Sequence, residues 1–192
     1  MNNILRFLLI GLIAVAAVAV WDGFYVLREG QQAVITQFGR PVGQPIMAAG
    51  LKFKLPVIQK VQYFDKRILI WDGDPNQIPT NDKTFIYMDN TARWRIIDPL
   101  RFLQAVGNER RANSLLNDII AGTVRDLVNK NDLIEIIRSS DWSPEKMSPT
   151  TDIIGVKPKQ GRDKIAITVR DQAAKLTPQY GITLIDVMIK RV

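Results

Sequence analysis

The sequence predicts an α+β protein: an N-terminal transmembrane helix, then an antiparallel β meander, then an α/β subdomain. Three observations carry this reading. Residues 7–21 form a run without any charge, between Arg6 and Asp22. Residues 32–71 read as short strands broken by Gly and Pro. Residues 110–128 and 162–177 place apolar side chains at helical spacing.

A spanning helix needs about 20 apolar residues to cross about 30 Å of hydrocarbon. The uncharged run gains Ile4 and Leu5 in front and Phe24, Tyr25, Val26 and Leu27 behind. Trp21 and Tyr25 suit an interfacial aromatic belt, and Arg6 can snorkel to the headgroups. A cleaved signal peptide is the rival reading. Arg6 then supplies the n-region, residues 7–16 the h-region, and Ala17-Val18-Ala19 an A-x-A cleavage site. Resumption of apolar sequence after Asp22 favours a retained anchor. Arg28 and Arg40 are offset by Asp22 and Glu29, so the positive-inside rule does not decide orientation.

The meander opens with a strand from Gln32 that ends at Gly39. A loop with Pro41, Pro45 and Gly50 follows. Leu51, Phe53 and Leu55 then alternate with Lys52 and Lys54, the pattern of a half-buried strand. Pro56 stops it, because proline has no N–H for a ladder. Val57 and Ile58 fall in the loop beyond. Val61, Tyr63 and Phe64 open a third strand and residues 68–71 a fourth.

Residues 76–95 read as β again. Asp98-Pro99 signals a helix start, with Leu100, Leu103 and Val106 inward and Gly107 at the end. The next helix, residues 110–128, turns Leu115, Leu116, Ile119, Ile120, Val124, Leu127 and Val128 to one face. Asn131 or Asp132 caps a short helix through Ile134 and Ile137. Residues 139–161 carry three prolines and no periodicity, which reads as a long loop, either a partner site or a linker. The helix over 162–177 buries Ile165, Val169, Ala173 and Leu176 and ends before Pro178. Gly181 turns the chain into a last alternating strand, residues 182–191. The domains read as anchor 1–27, membrane-proximal β subdomain 28–75 and α/β subdomain 76–192.

Composition excludes several chemistries. The chain has no Cys and no His, which removes disulfides, thiolate zinc sites and Ser-His-Asp or Cys-His catalysis. No cofactor is expected. Asp72-Gly73-Asp74-Pro75 reads as a turn, since two carboxylates make a poor calcium site. Trp71 and Trp94 read as core aromatics. The net charge of +7 points to an anionic partner. Lys52, Lys54, Lys60, Lys66 and Arg67 cluster without a nucleic-acid-binding motif, so lipid headgroups are the better match and no nucleic acid is expected. Ile46, Met47, Ala48, Ala49 and Leu51 are apolar in a loop, as are Val57 and Ile58, and loop tips are ordinarily polar. The expected membrane-contact residues are Trp21, Tyr25, Ile46, Met47, Leu51, Val57, Ile58, Lys52 and Lys54.

Several segments in order resemble one family: Glu29-Gly30-Gln31-Gln32-Ala33-Val34, Phe38-Gly39-Arg40, Gly50-Leu51-Lys52-Phe53-Lys54-Leu55-Pro56, Trp94-Arg95-Ile96 before Asp98-Pro99, and Tyr180-Gly181-Ile182 leading to Asp186-Val187-Met188-Ile189-Lys190-Arg191. The set resembles the SPFH, or band 7, superfamily of stomatins, prohibitins, flotillins and HflK/HflC. It looks most like the HflC branch, with the anchor near Met1 and an insertion after the helix at 134–137. The resemblance implies an SPFH domain on the periplasmic side of a bacterial inner membrane, held by a single-pass anchor. It implies no enzymatic activity, but a scaffold that pairs with an HflK-like paralogue in a large hetero-oligomer. That assembly would enclose and modulate an FtsH-type AAA protease and organise membrane lipids. Such members continue beyond the last strand into a long charged helix, whereas this sequence stops at Val192. The alternative from the residues alone is an exported or membrane-bound hydrolase subunit using Asp or Ser/Lys chemistry.

Overall fold

The computed structural model describes Phe7, residues 9–11, 22–143 and 157–191. Most of the expected anchor, including Trp21, lies outside the described residues, as does most of the 139–161 loop. Its expected C-terminal end is corrected, since Phe24–Leu27 form a strand and not the end of a helix. Among the described residues no helix is long and apolar enough to cross a membrane. The chain divides into two compact units, Met1–Arg67 with Asp98–Leu100, and Ile68–Ile97 with Arg101–Val192.

The first unit is built on β2 (Gln31–Gln37), following β1 (Phe24–Leu27). Strand β5 (Gln59–Asp65) pairs along one edge of β2, from Gln31↔Asp65 to Gln37↔Gln59. The other edge takes β3 (Arg40–Pro41) and a bridge from Ala33 to Ile46. With both edges of β2 used, β4 (Gly50–Phe53) pairs instead with β1, antiparallel. The expected simple meander is therefore corrected: β4 does not lie beside its sequence neighbour β5. Two buried polar side chains pin β2 to β5, where Gln32 Nε2 donates to the Asp65 carbonyl at 3.2 Å and Thr36 Oγ1 to that of Lys60 at 3.2 Å.

The second unit is built on β8 (Phe85–Ile96). Strands β6 (Leu69–Asp72) and β7 (Asn76–Pro79) pair with it in turn, antiparallel. Between Asp72↔Thr91 and Asn76↔Met88, Gly73-Asp74-Pro75 opposes only Asp89-Asn90, so this stretch is a bulge inside a continuing pairing. A Cβ on Gly73 would lie 2.5 Å from the Trp71 ring. The last strand, β9 (Ile182–Arg191), also pairs with β8. Its alternation does not run unbroken as the sequence suggests. Trp94 faces Leu184 but Arg93 faces Asp186, so Ile185 is an extra residue and the inward positions pass from Ile182 and Leu184 to Val187.

The helices cover this sheet. Helix α1 (Pro99–Ala105) buries Phe102, with Val106 just beyond it, rather than Leu100 and Leu103. The Phe102 ring stacks on Trp94, centroids 6.4 Å apart. Helix α2 (Glu109–Val128) begins at Asn108, whose side chain accepts from the Arg111 N–H. Its buried row is Ala112, Leu116, Ile120, Val124 and Val128, strictly four apart, leaving Leu115, Ile119 and Leu127 half-buried on its flanks. Helix α3 (Leu133–Ile137) leads into the insertion. Helix α4 (Arg162–Leu176) buries Ile165, Val169 and Ala173, packs on α2, α3 and β9, and leaves Leu176 exposed.

Candidate membrane-contact surface

Strand β4 turns out with the opposite sense to that expected. Leu51 is 66 % exposed, and Phe53 and Leu55 are also exposed, whereas Lys52 and Lys54 are half-buried. Pairing with β1 explains this. Cross-strand partners share a face, and the register sets Phe24 opposite Phe53 and Val26 opposite Leu51. All four are exposed, with the Phe24 and Phe53 rings edge to face at 5.3 Å. Tyr25 and Leu27 point to the other side and are buried. The result is a two-stranded ribbon with one continuous apolar face open to its surroundings.

One end of this unit carries further apolar groups. After Phe53, the chain turns through Leu55, Pro56, Val57 and Ile58 before β5 begins. The turn is tied to the start of β1. The Lys54 N–H donates to the Gly23 carbonyl at 2.8 Å, and Asp22 Oδ2 accepts from Lys54 Nζ at 2.9 Å and the Val57 N–H at 3.2 Å. Val57 has φ 66° and is 81 % exposed. At the same end of the β2–β5 pair, the two-residue β2–β3 hairpin has Phe38 at φ 49° and Gly39 at φ 81°. Positive φ at both central residues matches the right-handed twist of the strands, and Phe38 is 84 % exposed. For a bulky or β-branched residue this backbone region is strained, at a cost of about 1–2 kcal/mol.

The structure redistributes the expected contact residues. Leu51, Val57, Ile58 and Met47 are exposed. Ile46 is half-buried and fixed by paired backbone bonds to Ala33, at 2.9 and 2.8 Å. Tyr25 is corrected: it is 7 % exposed and packs edge to face on Tyr63, because alternation along β1 turns it away from the ribbon's open face. Lys54 is corrected too, since its ammonium is engaged by Asp22 rather than free for a headgroup. Arg67 is likewise held by Asp65, with Nη2–Oδ2 at 2.8 Å, and this guanidinium keeps the Asp65 carboxyl below its usual range. Trp21 lies outside the described residues. Phe24, Val26, Phe38 and Phe53 are not among the expected contacts, since the sequence pattern puts Phe24 and Val26 in the anchor and Phe53 on the buried face of a strand. The β1–β4 pairing that exposes the first, second and fourth is a long-range event, while Phe38-Gly39 did carry a local hairpin signal.

In the second unit several ionisable groups are engaged in structural contacts. Glu135 is buried and accepts from the N–H groups of Lys159, Gln160 and Gly161 at 2.6, 2.8 and 3.1 Å. Burial pushes its carboxyl up, but the three N–H groups and the Lys159 charge outweigh that and leave it below the usual range. Beside it, the Arg162 N–H donates to the Arg138 carbonyl at 2.7 Å and Asp163 accepts from the Ser140 N–H at 2.9 Å, so both ends of the insertion meet at a closed neck. A cavity of about 350 Å³ between α4 and β9 is lined by Arg162, Asp163, Ile167, Arg170, Asp186 and Met188, among others. Its carboxylates are occupied, Asp163 by Ser140 and Asp186 by a forked bond from Arg93, with Nε at 2.9 and 3.0 Å. Asp72, the last residue of β6, is paired with Lys190.

Comparison with known proteins accords with this architecture. The family model described as "SPFH domain / Band 7 family" matches residues 25–192. A protein named HflC from Treponema pallidum is 33 % identical over 193 residues, covering 93 % of this chain and 58 % of that protein. HflC of Borreliella burgdorferi is 34 % identical over 190 residues, covering 94 % and 58 % respectively. The "Modulator of FtsH protease HflC" of Escherichia coli K12 is 27 % identical over 138 residues, covering 68 % and 41 %. The chain thus spans less than two thirds of the length of these curated relatives. With a family model matched from the first strand to the end of the last, the chain belongs to the SPFH/band 7 family.

Proposed function

We propose that this chain is the membrane-apposed domain of a non-enzymatic scaffold of the HflC type. It is anchored by its N-terminal segment in a bacterial inner membrane, with the domain on the periplasmic side. It pairs with an HflK-like paralogue in a large hetero-oligomer that encloses and modulates an FtsH-type AAA protease. The observation that carries this reading is the open apolar face of Phe24, Val26, Leu51 and Phe53. It begins two residues after Asp22, where the uncharged run of residues 7–21 ends. An exposed apolar face of this kind marks an interaction surface, and one that directly follows the uncharged run is placed to meet lipid if that run enters the bilayer. The relatives named HflC, one of them a modulator of FtsH protease, support the partner assignment. The segment up to Trp21 is the proposed anchor, with Trp21 at its interfacial end, because Phe24–Leu27 are taken up by β1. The 139–161 insertion is a proposed partner contact, presented from its closed neck.

The hydrolase reading has less support. Among the described residues, the carboxylates of the α4–β9 cavity already serve Arg93 and Ser140, and a catalytic acid or nucleophile needs its reactive atom available to substrate.

The experiment is purification of the natural protein from its membranes, followed by identification and stoichiometry of what remains bound. An HflK-like paralogue in comparable amount, with an AAA protease, is the expected result. Recovery without either protein refutes the scaffold assignment. Intact mass of the same sample checks the anchor, and a mature N-terminus at Val20 refutes it in favour of a signal peptide.

A further inference from the structure

We propose that Asp22 is a positioning residue that fixes Val57 as a membrane-inserting tip, and that Phe38 is a second tip beside it. The inference rests on the membrane-apposed reading above and adds residues and a device to it. Val57 and Phe38 are separated in sequence, yet the Gln37↔Gln59 register brings their turns to one end of the β2–β5 pair. Each holds a large apolar side chain at the extreme of its turn, more than four-fifths exposed. Each does so from a left-handed backbone that its side chain disfavours. A turn shaped for stability alone would place Gly or Asn at such positions. Strain retained at an exposed apolar tip is strain retained for what the tip touches.

The occupant argued here is the hydrocarbon edge of a bilayer, because the clasp beneath Val57 is made by the residue that ends the uncharged run. Asp22 accepts the Val57 N–H at 3.2 Å, and the adjacent Gly23 carbonyl accepts the Lys54 N–H at 2.8 Å. Satisfying the Val57 N–H by a side chain leaves no backbone donor unpaired at the tip, which would oppose entry into a water-poor layer. Lys54, paired with Asp22 at 2.9 Å, neutralises the carboxylate that does this. The site therefore couples the end of the N-terminal segment to the presentation of one apolar side chain.

The chain has no Cys, so single-cysteine labelling is unambiguous. Phe38→Cys, Val57→Cys, Phe53→Cys and a control Lys83→Cys are each made in the full chain, labelled with an environment-sensitive fluorophore and reconstituted into vesicles of neutral and anionic phospholipid. Blue-shifted emission and protection from an aqueous quencher are expected at 38, 57 and 53, and full quencher access at 83. Adding Asp22→Ala should restore quencher access at 57 while 38 and 53 stay protected. Asp22→Asn, which keeps an acceptor for the Val57 N–H, should preserve protection at 57. Protection at 53 with open access at 38 and 57 overturns the proposal and leaves the membrane-apposed reading standing. Open access at 53 overturns both. Protection at 57 unaffected by Asp22→Ala overturns the positioning role. Concentration-dependent protection in detergent, without vesicles, assigns the tips to a second copy of the chain and likewise overturns the proposal.

Discussion

Replacing Leu51 and Phe53 together by Ser tests the ribbon directly. Both side chains are more than half exposed in the isolated domain, so the folded state loses little packing. Full burial of such a side chain is worth about 1.5–3 kcal/mol, and with half of each already covered, membrane contact adds about 1 kcal/mol per residue. The double substitution therefore removes about 2 kcal/mol of transfer free energy, a roughly thirtyfold loss in partitioning at 1.4 kcal/mol per decade. The assay is co-sedimentation of residues 22–192 with phospholipid vesicles over a lipid titration. The fragment must begin at Asp22, because a start at Glu29 would delete β1 and leave β4 unpaired. Thermal unfolding of the variant should stay within about 1 kcal/mol of the parent, as for surface substitutions. Unchanged partitioning with an intact fold would refute the ribbon as a membrane contact. An equal loss on Gln77→Ser, at an exposed position in the other unit, would show that the assay reads something else.

Two further predictions concern the neck of the insertion. Glu135 carries a carboxyl held below its unfolded value, so its contribution to stability is present above the unfolded value of about 4.5 and disappears as pH falls through the lower folded value. Glu135→Gln should remove that part of the acid dependence and, by weakening charge-assisted bonds, cost about 2 kcal/mol at neutral pH, read by thermal unfolding from neutrality down through the acid range below about 4.5. An unchanged pH profile would refute the clasp. Gly161→Ala should destabilise by about 1–3 kcal/mol in the same measurement, since φ is +85° and the added Cβ would meet the Ser140 nitrogen at 2.4 Å. Parental stability in this variant would show that the neck opens freely.

Local pattern in the chain already determined much of this protein. Helical spacing located α2 and α4, Asp98-Pro99 the start of α1, and Gly and Pro the breaks between strands. These signals are legible because they depend on residues a few positions apart, whose propensities and spacing act before any tertiary contact. The ordered segments from Glu29 to Arg191 likewise carried the family resemblance. Tertiary structure decided what sequence distance hides. Saturation of both edges of β2 sent β4 to β1, which turned Leu51 and Phe53 outward and drew Tyr25 inward. An extra residue at Ile185 exchanged the faces of β9 halfway along and set Asp186 against Arg93. Glu135, which no local motif marks, became the clasp of an insertion whose return lies some 25 residues later. In each case the deciding interaction joins residues more than twenty positions apart. The face a side chain presents is then set by which edge remains free for pairing, and the chain's local pattern does not encode that choice.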